Sequence, residues 1–585
     1  MNQGRLINKI KKIPLIISLL ALFVLIYDYG FEKHAHETKL LSGFYLLTII
    51  IGSFSILGRY FTAKTRPLLK VFIFDFILFI CLVFFIAYKI GFVDSPFLNL
   101  FNRGLFIFFA VFFIFLRELF VLRVSIKRVT VNPAQLFISS FLILIFSGSL
   151  LLLLPNATYK SITIIDAFFT STSAVCVTGL IVVNTGSHFT EFGQFIILML
   201  IQMGGLGIMT FASYFGYFFK GGASYETQLL LYDFTSSKKL GDVFKTLKRI
   251  LFITFAIELL GAILVFESIN TITIPSLADR IFFSVFHSIS GFCNAGFSTL
   301  ENSFFEQAYR FNYPLHIIIA SLIILGGIGF PIVFNLIKYL KIKALNIIRH
   351  VFLHKTTIHI PWIINLNTRI VLLTSFLLIL TGFLMFFALE YNNTLAEHSL
   401  YGKIVTSFFG SVTTRTAGFN TVDTYALGIP IILVVLFLMW VGASPGSTGG
   451  GIKTSTLAIA VLNFISIAKG RQRIEILRRE ISQVSVNRAF AIMILSILVI
   501  SISSFGIFFF DSDKGLLNII FEVVSAHSTV GLSRGITANL GTTSKLILIL
   551  TMFIGRVSML TLLIALFRKT TNINYRFPKE DVLIN

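Results

Sequence analysis

Long apolar runs recur along the whole chain, separated by short polar or basic stretches. Runs of about 18 or more residues match the hydrocarbon thickness of a bilayer when coiled as helices. They fall at about 13–31, 40–57, 70–92, 99–122, 134–154, 192–218, 247–267, 314–338, 367–389, 429–467, 488–510 and 543–567, which predicts twelve spans, the tenth of them interrupted. Four further apolar segments, near 164–178, 279–294, 401–416 and 515–530, are too short to cross and suit re-entrant half-helices. The alternating pattern of a transmembrane barrel is absent. The first run follows Lys9, Lys11 and Lys12 but leads into Asp28, Tyr29 and Gly30 rather than a small-residue cleavage site, so it reads as a retained helix.

The polar punctuation sets the sides. Every second connection is basic: Lys64, Arg66 and Lys70; Arg123, Lys127 and Arg128; Lys238, Lys239, Lys245, Lys248 and Arg249; Lys338, Lys341 and Lys343; Arg471, Arg473, Arg478, Arg479 and Arg488; and finally Arg568, Lys569, Arg576 and Lys579. Lys and Arg accumulate on the cytoplasmic side of a membrane protein. Both termini are therefore expected in the cytoplasm, and all four short segments fall on the outer side. Composition agrees, with 56% apolar and only 13% charged residues. The formal charge of +22 raises nucleic acid as a partner, but the cations sit at the ends of apolar runs, where orientation accounts for them. Cys81, Cys176 and Cys293 form no disulfide framework and read as small buried hydrophobes.

After residue 130 the chain repeats itself. Each unit is a long helix, a short apolar segment, a polar turn and a second long helix. The turns read SAVCVTGL (173–180), GFCNAGFST (291–299), TTRTAGFNT (413–421) and AHSTVGLSR (526–534), and aligning Gly179, Gly296, Gly418 and Gly531 gives spacings of 117, 122 and 113 residues. A near-constant period means one structural unit used four times. The predicted fold is an all-α polytopic membrane protein, with four helix–pore loop–helix repeats around a central pore behind about four extra N-terminal helices. The divisions are 1–130, then repeats at 131–220, 221–340, 341–470 and 471–570, and a cytoplasmic tail at 571–585. Irregular backbone is tolerated in a membrane only where it is buried in protein or lines a cavity. Four such turns meeting at one point can aim carbonyls at a dehydrated cation. Glycine gives them dihedrals closed to other residues and room for close approach.

The interrupted run holds GASPGSTGGGIKTST (442–456). One helix over 431–467 would extend roughly 55 Å, against about 30 Å of hydrocarbon. Pro445 removes a donor, and Gly449, Gly450 and Gly451 cost about 1 kcal/mol each against Ala, so a break is both needed and encoded. The stretch is no phosphate-binding loop: Gly446 and Gly451 are spaced for one, but Ile452 displaces Lys453 by one position and a helix, not a strand, precedes it. GGLG (204–207) lacks the third glycine of a dinucleotide fingerprint. No nucleotide site is expected on this chain. The loop, with Gly446, Ser447, Thr448, Gly449, Gly450, Gly451 and Lys453, is expected below the turns as a pore constriction and gate, with Arg556 of the last helix beside it.

At these residues the sequence resembles the Trk/Ktr/HKT superfamily of cation transporters over about residues 130–570. SAVCVTGLIVVNTGSHFTEFGQ, NAGFST, TRTAGFNTVD and FEVVSAHSTVGLS resemble its four pore loops, and GASPGSTGGGIKTST and FIGRVSMLTL (553–562) its two other marks. The resemblance implies potassium uptake through a filter made of Val177, Thr178 and Gly179; Asn294, Ala295 and Gly296; Thr416, Ala417 and Gly418; and Thr529, Val530 and Gly531. Potassium would bind their backbone carbonyls, and glycine at all four key positions favours potassium over sodium. It implies a homodimer in the bilayer and a cytosolic regulatory ring that binds nucleotide. The chain departs from the pattern in its N-terminal helices, in His527 and Ser528, and in Arg534, three residues past Gly531. Arg534 pairs with an acidic residue such as Glu301 or Asp423, or points sideways into solvent.

Ionisable groups within spans are candidates for function. Asp75 and Glu258 are each either a proton relay or a paired carboxylate; for Asp75, outside the repeats, the pair is the better reading. Glu522 is expected to bond its own pore loop, and Arg556 to meet the free carbonyls of the broken helix. A proton- or sodium-coupled secondary transporter is the alternative to a channel-like uptake protein, since broken helices serve both. An enzyme is not expected, because no cluster of carboxylates or metal ligands converges: His34, His36, His188, His287, His350, His354, His359, His398 and His527 are scattered, mostly in loops.

Overall fold

The computed structural model describes residues 13–32, 35–62, 69–90, 103–121, 133–220, 243–269, 274–351, 354, 364–471, 473–557 and 563. It falls into two compact units, Met1–Lys127 with Leu154–Thr158, and Arg128–Leu153 with Tyr159–Asn585. The extreme termini and the basic connections at 122–132 and 221–242 lie outside the described residues.

The first unit holds α1 (Ile13–Gly30), α2 (Ala35–Thr62), α3 (Leu69–Ile90) and α4 (Arg103–Val121). Its interior is apolar, with Ile49, Ile56, Leu78, Leu82, Ala110 and Ile114 in one cluster. Within it lies a charged knot. The Arg117 guanidinium donates Nε to Asp75 Oδ1 at 3.1 Å and Nη2 to Oδ2 at 2.9 Å. Its Nη1 reaches Glu118 Oε1 at 3.2 Å, and Tyr60 and Ser55 donate to Asp75 and Glu118. Asp75 is thus the paired carboxylate. The fork of an arginine matches a carboxylate's two oxygens, which is the geometry that offsets desolvation.

The second unit begins with α5 (Pro133–Leu152), a short helix α6 (Ile164–Val175) and α7 (Glu191–Lys220). The same order returns in α8 (Val243–Ser268), α9 (Leu277–Cys293) and α10 (Tyr313–Ile328), which continues after a break as α11 (Phe330–Val351). Next come α12 (Leu366–Glu390), α13 (Leu400–Thr413) and the broken helix, α14 (Ile429–Trp440) and α15 (Thr454–Ala468). A two-stranded hairpin, β1 (Glu475–Ile476) and β2 (Arg479–Glu480), leads to α16 (Gln483–Phe510), α17 (Leu516–His527) and α18 (Thr542–Val557). A helix stands at each of the twelve expected spans. Among the described residues, five are long and apolar enough to cross alone, and the bent pair α10–α11 makes a sixth.

Two expectations are corrected. The run at 314–338 is not one straight helix: it bends by 101° between α10 and α11. The bend sits on Gly329, whose φ of +91° strains any other residue. The histidines are not mostly in loops either. His287 lies within α9 and His527 ends α17, both buried, and His316 is buried in α10.

The short helices begin where capping side chains place them. Thr163 Oγ1 accepts from Asp166 N, Ser276 from Asp279 N, and Ser399 from Gly402 N. A recurring contact then fixes three of them to the preceding long helix. Ser171 Oγ donates to Ile145 O at 2.7 Å, Ser288 to Glu258 O at 2.6 Å, and Ser411 to Ile379 O at 2.8 Å. Three residues after each acceptor stands a glycine, Gly148, Gly261 or Gly382, whose added Cβ would come within 2.4–2.5 Å of that hydroxyl. In α17 the corresponding residue is the buried Val523.

Removing one partner of the Asp75–Arg117 pair strands a charge in an apolar unit. Arg117→Leu should destabilise by about 3–5 kcal/mol, while the Asp75→Leu/Arg117→Leu double variant recovers part of the loss, Glu118 still having lost its arginine contact. Thermal unfolding of the purified protein checks this; additive losses would show that the pair is not coupled.

Candidate functional site

The turns that follow the four short helices share one backbone course. Val177, Asn294 and Thr529 take left-handed φ values of 56°, 60° and 50°, and Thr416 takes 132°. Two residues later Gly179, Gly296, Gly418 and Gly531 have φ of 88°, 70°, 76° and 91°. A non-glycine residue in the left-handed region costs roughly 1–2 kcal/mol. Four such residues at equivalent places are strain retained for a purpose. Changes of handedness along consecutive residues turn successive carbonyls toward a common side, unlike the alternating sides of a strand.

Hydroxyls at the ends of the short helices hold the turns. Ser173 Oγ accepts from Gly179 N and Ser525 Oγ from Gly531 N, both at 3.1 Å. Ser290 Oγ donates to Phe297 O and Thr413 Oγ1 to Phe419 O, both at 2.7 Å. In the first, second and fourth turns this residue lies six positions before the glycine; in the third it lies five before. The third turn is therefore one residue shorter, and the distinct φ of Thr416 accompanies the deletion.

The four turns meet. A Cβ on Gly179 would stand 2.4 Å from Ala295 O, and one on Gly296 2.3 Å from Ala417 O. On Gly418 it would be 2.2 Å from Val530 O, and on Gly531 2.2 Å from Thr178 O. The contacts run from the first turn to the second, third and fourth and back to the first. They make a closed ring of backbone from Thr178, Gly179, Ala295, Gly296, Ala417, Gly418, Val530 and Gly531, each pair preceded by one of the positive-φ residues Val177, Asn294, Thr416 and Thr529. Asn294 and Thr416 add a side-chain link: with Asn294 Nδ2 toward Gly291 O and Ile323 O, its Oδ1 accepts from Thr416 Oγ1 at 2.7 Å. The buried hydroxyls of Thr178, Ser528 and Thr529 have no protein hydrogen-bond partner. Backbone and hydroxyl oxygens in such a ring suit a hard monovalent cation.

The broken helix lies against this ring. Its two arms are clipped by Ile452 N to Trp440 O (3.2 Å) and Thr454 N to Ala443 O (3.2 Å). The loop between them is bolted to the α10–α11 bend, with Ser444 N donating to Gly327 O and Phe330 N to Gly446 O, both at 3.0 Å. Gly449 and Gly450 leave no space: an added Cβ would stand 2.7 Å from Thr416 Oγ1 and 2.1 Å from Thr529 Oγ1 respectively. Lys453 Nζ folds back onto Gly449 O at 2.6 Å. Arg556 donates Nη1 to Thr448 O and Nη2 to Gly204 O, the latter at 2.8 Å. It thereby ties the loop to α7 from α18, as expected of a buried cation near free carbonyls.

Other candidates resolve as follows. Glu522 bonds its own turn, accepting from Ser533 Oγ, Arg534 N and Thr537 Oγ1 at 2.6, 3.0 and 2.8 Å. Arg534 neither pairs with Glu301 or Asp423 nor points into solvent. It is buried, donating to Asn518 Oδ1 at 2.7 Å and to the carbonyls of Thr424 and Tyr425. Those acceptors come from backbone and a neutral amide, which charge matching in a sequence does not reveal. Glu258 accepts from Gln202 Nε2 at 3.1 Å behind the second turn. Arg415 was missed although it stands in the third turn: Nη1 donates to Ser375 O and Nη2 to Gly442 O, at 3.3 and 3.2 Å, which links that turn to the start of the loop. Its proximity to a filter-like motif was the available signal.

The chain thus sets a closed ring of strained backbone against a broken helix, in a bundle of long apolar helices. Residues 102–573 match the TrkH family, whose description is cation transport protein. The chain is 35% identical over 471 residues to the potassium/sodium uptake protein NtpJ of Enterococcus hirae, covering 78% of this chain and 98% of that one. It is 34% identical over 459 residues to the Ktr system potassium uptake protein B of Bacillus subtilis, covering 78% and 98%. The crystal structure of the potassium transporter TrkH from Vibrio parahaemolyticus shares its fold, with a TM-score of 0.59, 17% identity and coverage of 95% and 99%. The chain belongs to the TrkH family: it is a multi-pass membrane transporter and not an enzyme.

Gly531→Ala should lower cation uptake severalfold, because the methyl group meets Thr178 O and the φ of 91° is strained. Gly470→Ala is the control: its φ of 68° carries similar strain, but nothing lies within 4 Å. Uptake in both, at matched expression, checks the claim; equal losses would assign the effect to strain alone.

Proposed function

We propose that the protein takes up potassium across the cytoplasmic membrane, through four helix–pore loop–helix repeats with a glycine-lined filter at their axis. The observation that carries this reading is the closed ring of Gly179, Gly296, Gly418 and Gly531. Backbone carbonyls of Val177, Thr178, Asn294, Ala295, Thr416, Ala417, Thr529 and Val530, with those of the glycines, replace the water around a dehydrated potassium ion. The short helices aim their negative C-terminal ends at the same point, which favours a cation. Uptake names in the relatives support the cargo, and one of them names sodium as well as potassium.

The loop at 446–451 is the gate. Arg556 and Lys453 hold its carbonyls and set positive charge beneath the filter, so the closed loop both narrows the path and repels the ion. Nucleotide acts through a cytosolic regulatory ring and not on this chain; the name of the Bacillus relative, a component B of a system, supports a second subunit. The chain works as a homodimer, with both termini in the cytoplasm.

Two outcomes test the assignment. Gly179→Ser should reduce preference for potassium over sodium by about tenfold or more, roughly 1.4 kcal/mol of lost discrimination, read by uptake competition; unchanged preference would remove the ring from the filter role. Arg556→Ala, or deletion within 446–451, should raise flux through reconstituted protein at a fixed potential. A lowered or proton-coupled flux would favour the secondary transporter.

A further inference from the structure

The helix that follows the bend has no task in that scheme. α11 runs Phe330–Val351; Phe330 and Phe334 in its first turns pack against Ile250, Ile257 and Phe292, and among the described residues no helix packs extensively along the rest. Its residues sort by face. Ile337, Leu340, Ile347, Ile348 and Val351 recur at helical spacing and are 45–60% exposed. The exposed lysines border this apolar arc on both sides, Lys341 and then Lys338 on one, Lys343 on the other, with the exposed Leu345 between Lys341 and Lys338. The surrounding chain offers these cations nothing to pair with in sequence, since no Asp or Glu occurs from Gln307 to Leu389.

Position explains the pattern. α10 has 16 residues and extends about 24 Å, most of the depth of a hydrocarbon core. A helix leaving it at 101° runs close to the membrane plane, near the boundary where α10 ends. An in-plane helix whose apolar arc is bordered by lysines buries that arc in the acyl boundary and lets the lysines reach up beside it to the headgroups. Charge complementarity selects anionic headgroups.

The start of α11 is also fixed to the loop. Phe330 N donates to Gly446 O at 3.0 Å, and an added Cβ on Gly329 would stand 2.6 Å from Pro445 O. A shift of α11 toward the headgroups therefore pulls on the segment that Arg556 holds from the other side.

We propose that α11 is an interfacial helix that binds anionic phospholipid headgroups through Lys338, Lys341 and Lys343, and that this engagement is transmitted to the intramembrane loop through the Gly329 bend. The transmission rests on the reading of the loop as a gate; the binding does not.

The test uses the full chain and a Lys338→Gln/Lys341→Gln/Lys343→Gln variant, whose changes are on exposed side chains. Phosphatidylglycerol retained after purification in detergent is measured by mass spectrometry. Potassium flux is measured in phosphatidylcholine vesicles with and without one part in four phosphatidylglycerol. The variant should retain severalfold less phosphatidylglycerol. It should lose the flux difference between the two vesicles while keeping the flux of the native chain in phosphatidylcholine. Equal retention by both proteins overturns the binding site, and does so whatever the flux shows. Reduced retention with an unaltered flux difference upholds the site and overturns its link to the loop. Equal retention with loss of a cytosolic subunit's binding would make the face a protein-docking surface instead.

Discussion

Hydrocarbon offers backbone polar groups no water, and this constraint governs the structure from end to end. A turn placed within a membrane must find partners in protein or in the cavity it lines. The four turns do so by a common device: a hydroxyl at the end of each short helix, Ser173, Ser290, Thr413 or Ser525, engages the backbone on the far side of the bend. Carbonyls not used in this way are then free to serve an ion. The same constraint explains the loop, whose backbone is satisfied by Gly327, Ala443 and Trp440 carbonyls, by Lys453 and by Arg556 rather than by solvent.

Packing and polarity cooperate here because glycine appears wherever backbone meets backbone or a hydroxyl approaches a helix. Gly204 and Gly326 leave room for Val175 O and Phe292 O, and Gly555 for His527 O. Each lies on the second long helix of its unit against the end of a short one. With Gly148 and Gly261 on the first long helices, these contacts clamp α6 and α9 from both sides, while Gly382 holds α13 from one side and Gly555 holds α17 from the other.

Much of this was legible beforehand. Helix positions followed from run length, and the turns from a period near 117 residues, because a membrane allows few ways to arrange apolar runs and fewer to tolerate a polar break. The bend at Gly329 was not legible: LGGIGFP continues an apolar run, and only the loop packed against it gives Gly329 its dihedral. Arg534 and Arg415 were likewise opaque, since their acceptors are carbonyls, which every residue carries. Asp75 was read as paired, but its partner Arg117 lies 42 residues away and needed the fold to appear.

The shortened third turn gives the ring a lasting asymmetry. Had four identical subunits built it, any substitution would be copied into every quadrant at once, and most would be ruinous. A ring drawn from one chain can vary by quarters. Thr413 standing one residue closer to its glycine than its three counterparts is such a local edit. Selection can thus tune one wall against three that stay fixed.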